Sequence, residues 1–301
     1  MLATSQRERR DLVLRLELEY TLHVGDDFKS PRGIDTLLAN GAAFGVVAFN
    51  LFFVDRHASL REPPVARLPD PVRGVVLPFP SIGSLDDEAP SMYFYVDLPV
   101  TMCIDGVGRP FATIDCEKAI DDVDLRKRID GARAVRSARD EALAVATAAK
   151  GDVRIVALQR ALETMDRWLV LRCYAAELAE LDASSVPAAV EYARPLLREH
   201  RVLRACGDLR EASVEMKSIA PRRLRKQLDA VVRTFSDLPE VAVLAHCVQG
   251  SAELRLALHE ADRDRVVERV RSATAASEPG LVWVQQLAKL WVWTASRWQP
   301  R

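Results

Sequence analysis

The chain lacks the short motifs that mark most common enzyme families. It has no Gly-x-Ser-x-Gly, no phosphate-loop Gly-x-x-x-x-Gly-Lys and no Cys-x-x-Cys. Its five histidines show none of the three- or four-residue pairing typical of zinc sites. Gly106-x-Gly108 lacks the third glycine and the following helix of a dinucleotide site. These absences argue against the common hydrolases, nucleoside triphosphatases and zinc enzymes.

The composition narrows the class of protein further. Only 13 of 301 residues are glycine, which favours a helix-rich body. The charges nearly cancel, at 42 basic against 43 acidic residues, which argues against a general nucleic-acid binder. The number of cysteines, five, is odd, and they are widely spaced in the sequence. This pattern favours thiols in a reducing compartment over a disulfide framework.

Neither the termini nor the apolar runs suggest a membrane segment. The longest apolar run, 41–54, is interrupted by Asn50 and is too short to span a bilayer. The charged stretch 7–11 is not followed by an apolar segment of signal-peptide type. We therefore expect a cytoplasmic protein with no transmembrane segment.

The N-terminal region, 1–118, has the pattern of an antiparallel β-rich domain. Apolar and polar residues alternate over 12–24, which predicts a long strand with one buried and one solvated face. Further strands are predicted at 92–96, 100–104 and 111–114. Seven prolines punctuate 62–90, which we interpret as a long loop.

The middle of the chain, 119–204, is predicted to be a helical hairpin. Apolar residues recur at helical spacing from Leu125 onward, and Lys150-Gly151-Asp152 reads as a helix–helix turn. After that turn, the apolar face is expected to continue as one long helix through Leu178.

The C-terminal region, 205–301, is predicted to order its elements as strand, helix, strand, strand, helix, with a further strand and helix in the tail. The three strands are expected at 213–220, 240–248 and 254–258, with a helix opening at Pro221 and another capped by Asp262. This order resembles ligand-sensing modules of the ACT type and of the feast/famine regulators, which implies a ferredoxin-like βαββαβ unit. The predicted fold class is thus α+β: antiparallel sheet, helical hairpin, ferredoxin-like unit.

One short motif in this region suggests chemistry. His246-Cys247-x-x-Gly250 resembles the start of the phosphate-binding loop of cysteine-dependent phosphatases, which implies Cys247 as a nucleophile and His246 as its neighbour. Glu253 stands where that family has an arginine, and an acid there would repel phosphate. A small buried cysteine at a strand end is the favoured interpretation.

Carboxylates near predicted strand ends form a second candidate site. Asp97, Asp115 and Glu117, with Asp105 nearby, could hold magnesium for phosphoryl transfer. The alternative is that acids end strands because they suit turns. No cofactor is predicted.

The tail concentrates large aromatic residues. Four of the five tryptophans lie there: Trp283, Trp291, Trp293 and Trp298. Such residues usually pack in the core, but tryptophan is also enriched at protein–protein contacts, so both interpretations remain open.

The leading hypothesis is a non-catalytic protein-binding or assembly component, whose partner is another protein or its own copy. Its binding residues would be the tail tryptophans. One alternative is a metal- or thiol-dependent enzyme that acts on a phosphorylated substrate. Another is a small-ligand-sensing regulatory protein that uses the ferredoxin-like unit.

Overall fold

The computed structural model describes residues 7–17, 41, 43–52, 79–82, 92–95, 100–114, 121–214, 221–254 and 259–297. The chain divides into two compact units. Unit 1 comprises Met1–Val76 and Asp97–Leu197, and unit 2 comprises Leu77–Val96 and Arg198–Arg301. The predicted three-part division at 118 and 204 stays a prediction.

Unit 1 contains a four-stranded mixed sheet. Its strands lie in the order β2-β1-β5-β6, namely Val46–Phe52, Asp11–Glu17, Val100–Ile104 and Pro110–Thr113. β1 pairs parallel with β2 and antiparallel with β5, and β5 pairs antiparallel with β6, so the parallel β1–β2 pair is the departure from the predicted antiparallel sheet. Three consecutive β1 residues, Leu12, Val13 and Leu14, are buried, so both faces of β1 are covered at this end of the strand. A strand covered on both faces carries a continuous apolar run.

The helices of the middle region are α1 (Asp122–Ala148), α2 (Gly151–Glu163), α3 (Arg167–Cys173), α4 (Ala175–Asp182) and α5 (Pro187–Val214). Asp121 caps α1 by accepting from the Asp124 amide at 2.8 Å. α1 and α2 pack as a hairpin around the predicted turn at Lys150-Gly151, which is confirmed. The single long helix predicted through Leu178 is wrong, since the chain bends at Thr164 and Tyr174.

Unit 2 is mainly helical. It contains α6 (Pro221–Thr234), α7 (Pro239–Leu254), α8 (Glu260–Ala276) and α9 (Val282–Ala295). A two-stranded antiparallel sheet of β3 (Phe79–Ile82) and β4 (Met92–Tyr95) contacts α9 and α7. α7 packs against α6, α8 and α9, and 12 of its 16 residues are buried.

The predicted α+β class with a C-terminal ferredoxin-like unit is therefore wrong. The predicted strand at 240–248 lies inside α7, and the predicted tail strand lies within α9. Because helices pack on several sides of α7, apolar residues surround most of its circumference. Its sequence therefore lacks the 3.6-residue repeat of apolar positions that predicts a helix. The predicted strand at 213–220 begins inside α5, which contains residues 213 and 214, and residues 215–220 are outside the described residues. The predicted strand at 254–258 begins at the last residue of α7, and residues 255–258 are outside the described residues.

Candidate functional site

The motif that resembled a phosphate-binding loop lies in the interior of α7. Gly250 is in a regular helix and packs under the Trp291 ring, where a Cβ would lie 2.7 Å from Trp291 Cη2. A phosphate cradle instead needs a loop of free amides before a helix. The strand–loop–helix arrangement implied by the resemblance is therefore wrong, and Gly250 is required by packing.

Cys247 and His246 occupy different environments on α7. Cys247 is fully buried, and this burial raises the pKa of its thiol far above the usual range. His246 is half-buried, and burial, together with the charges of Arg269 and Arg225, lowers its pKa. The neutral thiol is therefore favoured at Cys247, whereas a nucleophile needs the thiolate.

The carboxylates Asp97, Asp115 and Glu117 lie outside the described residues, so the magnesium hypothesis stays a prediction. Asp105 is described and buried. Its Oδ1 accepts from the amides of Val107 and Arg109, and its Oδ2 accepts from Arg139 Nη2 at 2.7 Å. Oδ1 thus holds the β5–β6 turn, and Oδ2 joins that turn to α1. In the described part of the chain, no three histidine, cysteine or acidic side chains group to hold a metal ion.

Arg139 is the centre of a buried polar network that the sequence did not predict. It donates to Tyr174 Oη at 3.2 Å and to Asp140, and Tyr174 Oη donates to the Pro110 carbonyl. Burial lowers the pKa of Arg139, but Tyr174, Asp140 and Asp105 outweigh it and raise the pKa overall. Burial raises the pKa of Tyr174 to about 12. The network joins α1, α3–α4 and the β5–β6 turn through satisfied hydrogen bonds, which is a structural role.

The tail tryptophans divide between the core and the surface. Trp291 is 1% exposed, and its Nε1 donates to Ser251 Oγ at 3.0 Å. Trp283 is half-buried and packs against the same core. Trp293 is 50% exposed. Trp298 lies outside the described residues. Of the four predicted binding residues, Trp293 is thus the one that the structure places at a described surface.

Trp293 belongs to a continuous stripe along one side of α9, which we call the outer face of α9. The stripe consists of exposed residues at helical spacing: Val282, Gln286, Lys289, Leu290, Trp293 and Arg297. The Arg297 guanidinium lies 4.0 Å from the centroid of the Trp293 ring and donates to the Trp293 carbonyl at 3.1 Å. The Arg297 guanidinium thus covers part of the Trp293 ring while the residue stays half exposed to solvent.

A second exposed apolar surface lies between α1 and α2, and sequence reasoning missed it. We call it the hairpin groove; its volume is about 450 Å³. Val145, Val153 and Val156 line it and are 48%, 63% and 54% exposed. The sequence did carry a signal, because on α2 the valines lie outside the face of Leu158 and Leu162 that packs in the core.

Comparison with known proteins gives no match to a protein family, a curated protein or a solved structure. None of the described helices combines the length and the apolar character needed to cross a bilayer. A proposal about function therefore rests on the described surfaces of the chain itself.

Proposed function

We propose that this protein is a non-catalytic protein-binding component, and that it contacts its partner through the outer face of α9. The observation that carries the proposal is the half-exposed Trp293 ring stacked on Arg297. Tryptophan and arginine are the residues most enriched among those that dominate binding energy. Burying a large ring against a partner lowers the free energy relative to leaving the ring exposed to water.

The chemistry of this surface describes the partner surface that fits it. Val282, Leu290 and Trp293 form the apolar part of the stripe, and Lys289 and Arg297 are its charged members. A complementary surface offers an apolar hollow for the indole ring and acidic groups near the two cations. A protein surface of this kind is the proposed partner, either on another protein or on a copy of this chain.

The proposed location is the cytoplasm. Cys173 and Cys247 are free thiols, which agrees with a reducing compartment.

The experiment is quantitative capture by the tagged full chain in cells, for the native chain, Trp293→Ser and the control Val107→Ser. Val107 is 73% exposed and lies in unit 1. A second tag on a co-expressed copy distinguishes self-association from another partner. We expect a stoichiometric partner with the native chain and the control, and its loss with Trp293→Ser. Equal capture by all three chains, or none by the native chain, would overturn the proposal.

A further inference from the structure

The hairpin groove is an apolar surface without a cover among the described residues. Three valines on two adjacent helices are each about half exposed or more. They account for three of the eight large hydrophobic residues exposed in the described part of the chain. Clustering of this kind is typical of an interaction surface, whereas single exposed apolar residues are common.

Small residues allow another helix to approach this groove closely. Ala138, Ala142 and Ala157 line it together with the valines, and the last two are buried. Side chains of this size let facing helices pack at short interaxial distances, with valines from each side filling the grooves of the other. The surface is therefore shaped for a helical partner.

The charges on the rim identify which helical partner fits. Three charged residues line the groove and are exposed: Glu141 on α1, and Asp152 and Arg160 on α2. Asp152 accepts a hydrogen bond from Ser185 Oγ at 3.0 Å. Neither Glu141 nor Arg160 forms an ion pair with another residue in the part of the chain that the structure describes, where the ion pairs of α1 and α2 involve other residues. Opposite charges on opposite walls of one groove make that groove complementary to itself.

We propose that a second copy of this chain docks on the hairpin groove to form a two-fold symmetric dimer. A two-fold axis parallel to the hairpin places α1 of one copy over α2 of the other, which brings Glu141 opposite Arg160 of the second copy, twice per dimer. The four helices then bury the valines of both copies in one bundle. A partner surface of uniform charge would place a like charge against either Glu141 or Arg160.

This inference goes beyond the proposed function, because the groove lies in unit 1 and does not involve α9. The two can fail separately. Trp293→Ser removes the α9 contact without touching the groove, and groove variants do the reverse.

The test is the solution mass of the purified full chain by light scattering over a dilution series. We compare the native chain with Val156→Asp, Glu141→Arg, Arg160→Glu and the double charge swap, with Val107→Asp as the control. All four substituted positions are exposed, and circular dichroism is used to check that each variant folds. We expect a native dimer and an unchanged control. Val156→Asp should give a monomer, because it places a charge in the apolar contact.

The charge variants give a test specific to the two-fold register. Each single reversal turns two attractive pairs into two repulsive ones and should raise the dimer dissociation constant about tenfold or more. The double swap, Glu141→Arg with Arg160→Glu, should restore association. A native monomer at every concentration would overturn the inference. So would a dimer that is insensitive to Val156→Asp, or single reversals that the double swap does not rescue.

Discussion

Gly250 on α7 lies against the indole ring of Trp291 on α9. A Cβ built on Gly250 would come within 2.7 Å of Cη2 and 2.9 Å of Cζ2 of that ring. The next residue, Ser251, accepts a hydrogen bond from the Trp291 Nε1. Two consecutive residues of α7 thus fix the position of the one fully buried tryptophan among the described residues.

We expect Gly250→Ala to lower the free energy of unfolding by about 1–3 kcal/mol, because the added methyl group has no room beside a rigid ring. Gly131→Ala is the matched control, since a Cβ at Gly131 on α1 meets nothing within 4 Å. It should raise the free energy of unfolding by about 0.5–1 kcal/mol through helix propensity. Urea unfolding measures both. An unchanged or higher stability of Gly250→Ala would contradict this packing.

Truncation of the two central tail tryptophans should lower stability by very different amounts. Trp291→Ala leaves a large cavity and should lower the free energy of unfolding by about 3–5 kcal/mol. Trp293→Ala removes a half-exposed ring and should cost less than about 1 kcal/mol. The same unfolding measurement separates them. Equal losses at the two positions would mean that Trp293 also belongs to the core.

His246 gives a pH dependence of stability with a definite sign. Burial, and then Arg269 and Arg225, lower its pKa below the ordinary 6.5 in the folded chain. The unfolded chain therefore binds a proton at a higher pH than the folded chain, and stability is lost as the pH falls below about 6.5. We expect His246→Gln to show a smaller loss between pH 7 and pH 5 than the native chain. Identical slopes would show that His246 titrates normally.

Cys247 distinguishes the core interpretation from the thiol-enzyme alternative. Because burial raises the pKa of its thiol, the native protein should react with iodoacetamide at Cys247 far more slowly than the unfolded protein. Mass spectrometry of digested samples, alkylated with and without guanidinium, gives both rates. Rapid native alkylation at neutral pH would instead favour an activated thiolate.

The sequence predicted helices best where one face of the helix meets water. Leu125, Ile129 and Ala132 on α1 repeat at helical spacing because the opposite side of α1 is solvated. The buried valines of α8, Val266, Val267 and Val270, likewise recur at helical spacing. Amphipathic helices carry their period in the sequence, so their existence and their inner faces can be predicted.

The prediction failed where burial removes that period. α7 presents Val241, Val243, Leu244 and Ala245 to the core in succession, which is also what a buried strand would show. The pairing of Gly250 with Trp291, 41 residues later, is a tertiary contact that no local pattern encodes. The different environments of the tail tryptophans are also set by the fold. The sequence marks Trp293 as a candidate binding residue, but only the rotation of α9 about its axis decides that Trp291 faces the core and Trp293 faces solvent.

The central claim is that the outer face of α9 touches another protein, and photo-crosslinking from that face tests it most directly. A benzophenone amino acid at Leu290, which is 52% exposed on the outer face, is compared with the same probe at Val107 in unit 1. We predict a single covalent adduct from position 290, lost when Trp293→Ser is added, and none from position 107. An absence of adducts from position 290, or adducts unaffected by Trp293→Ser, would contradict the account.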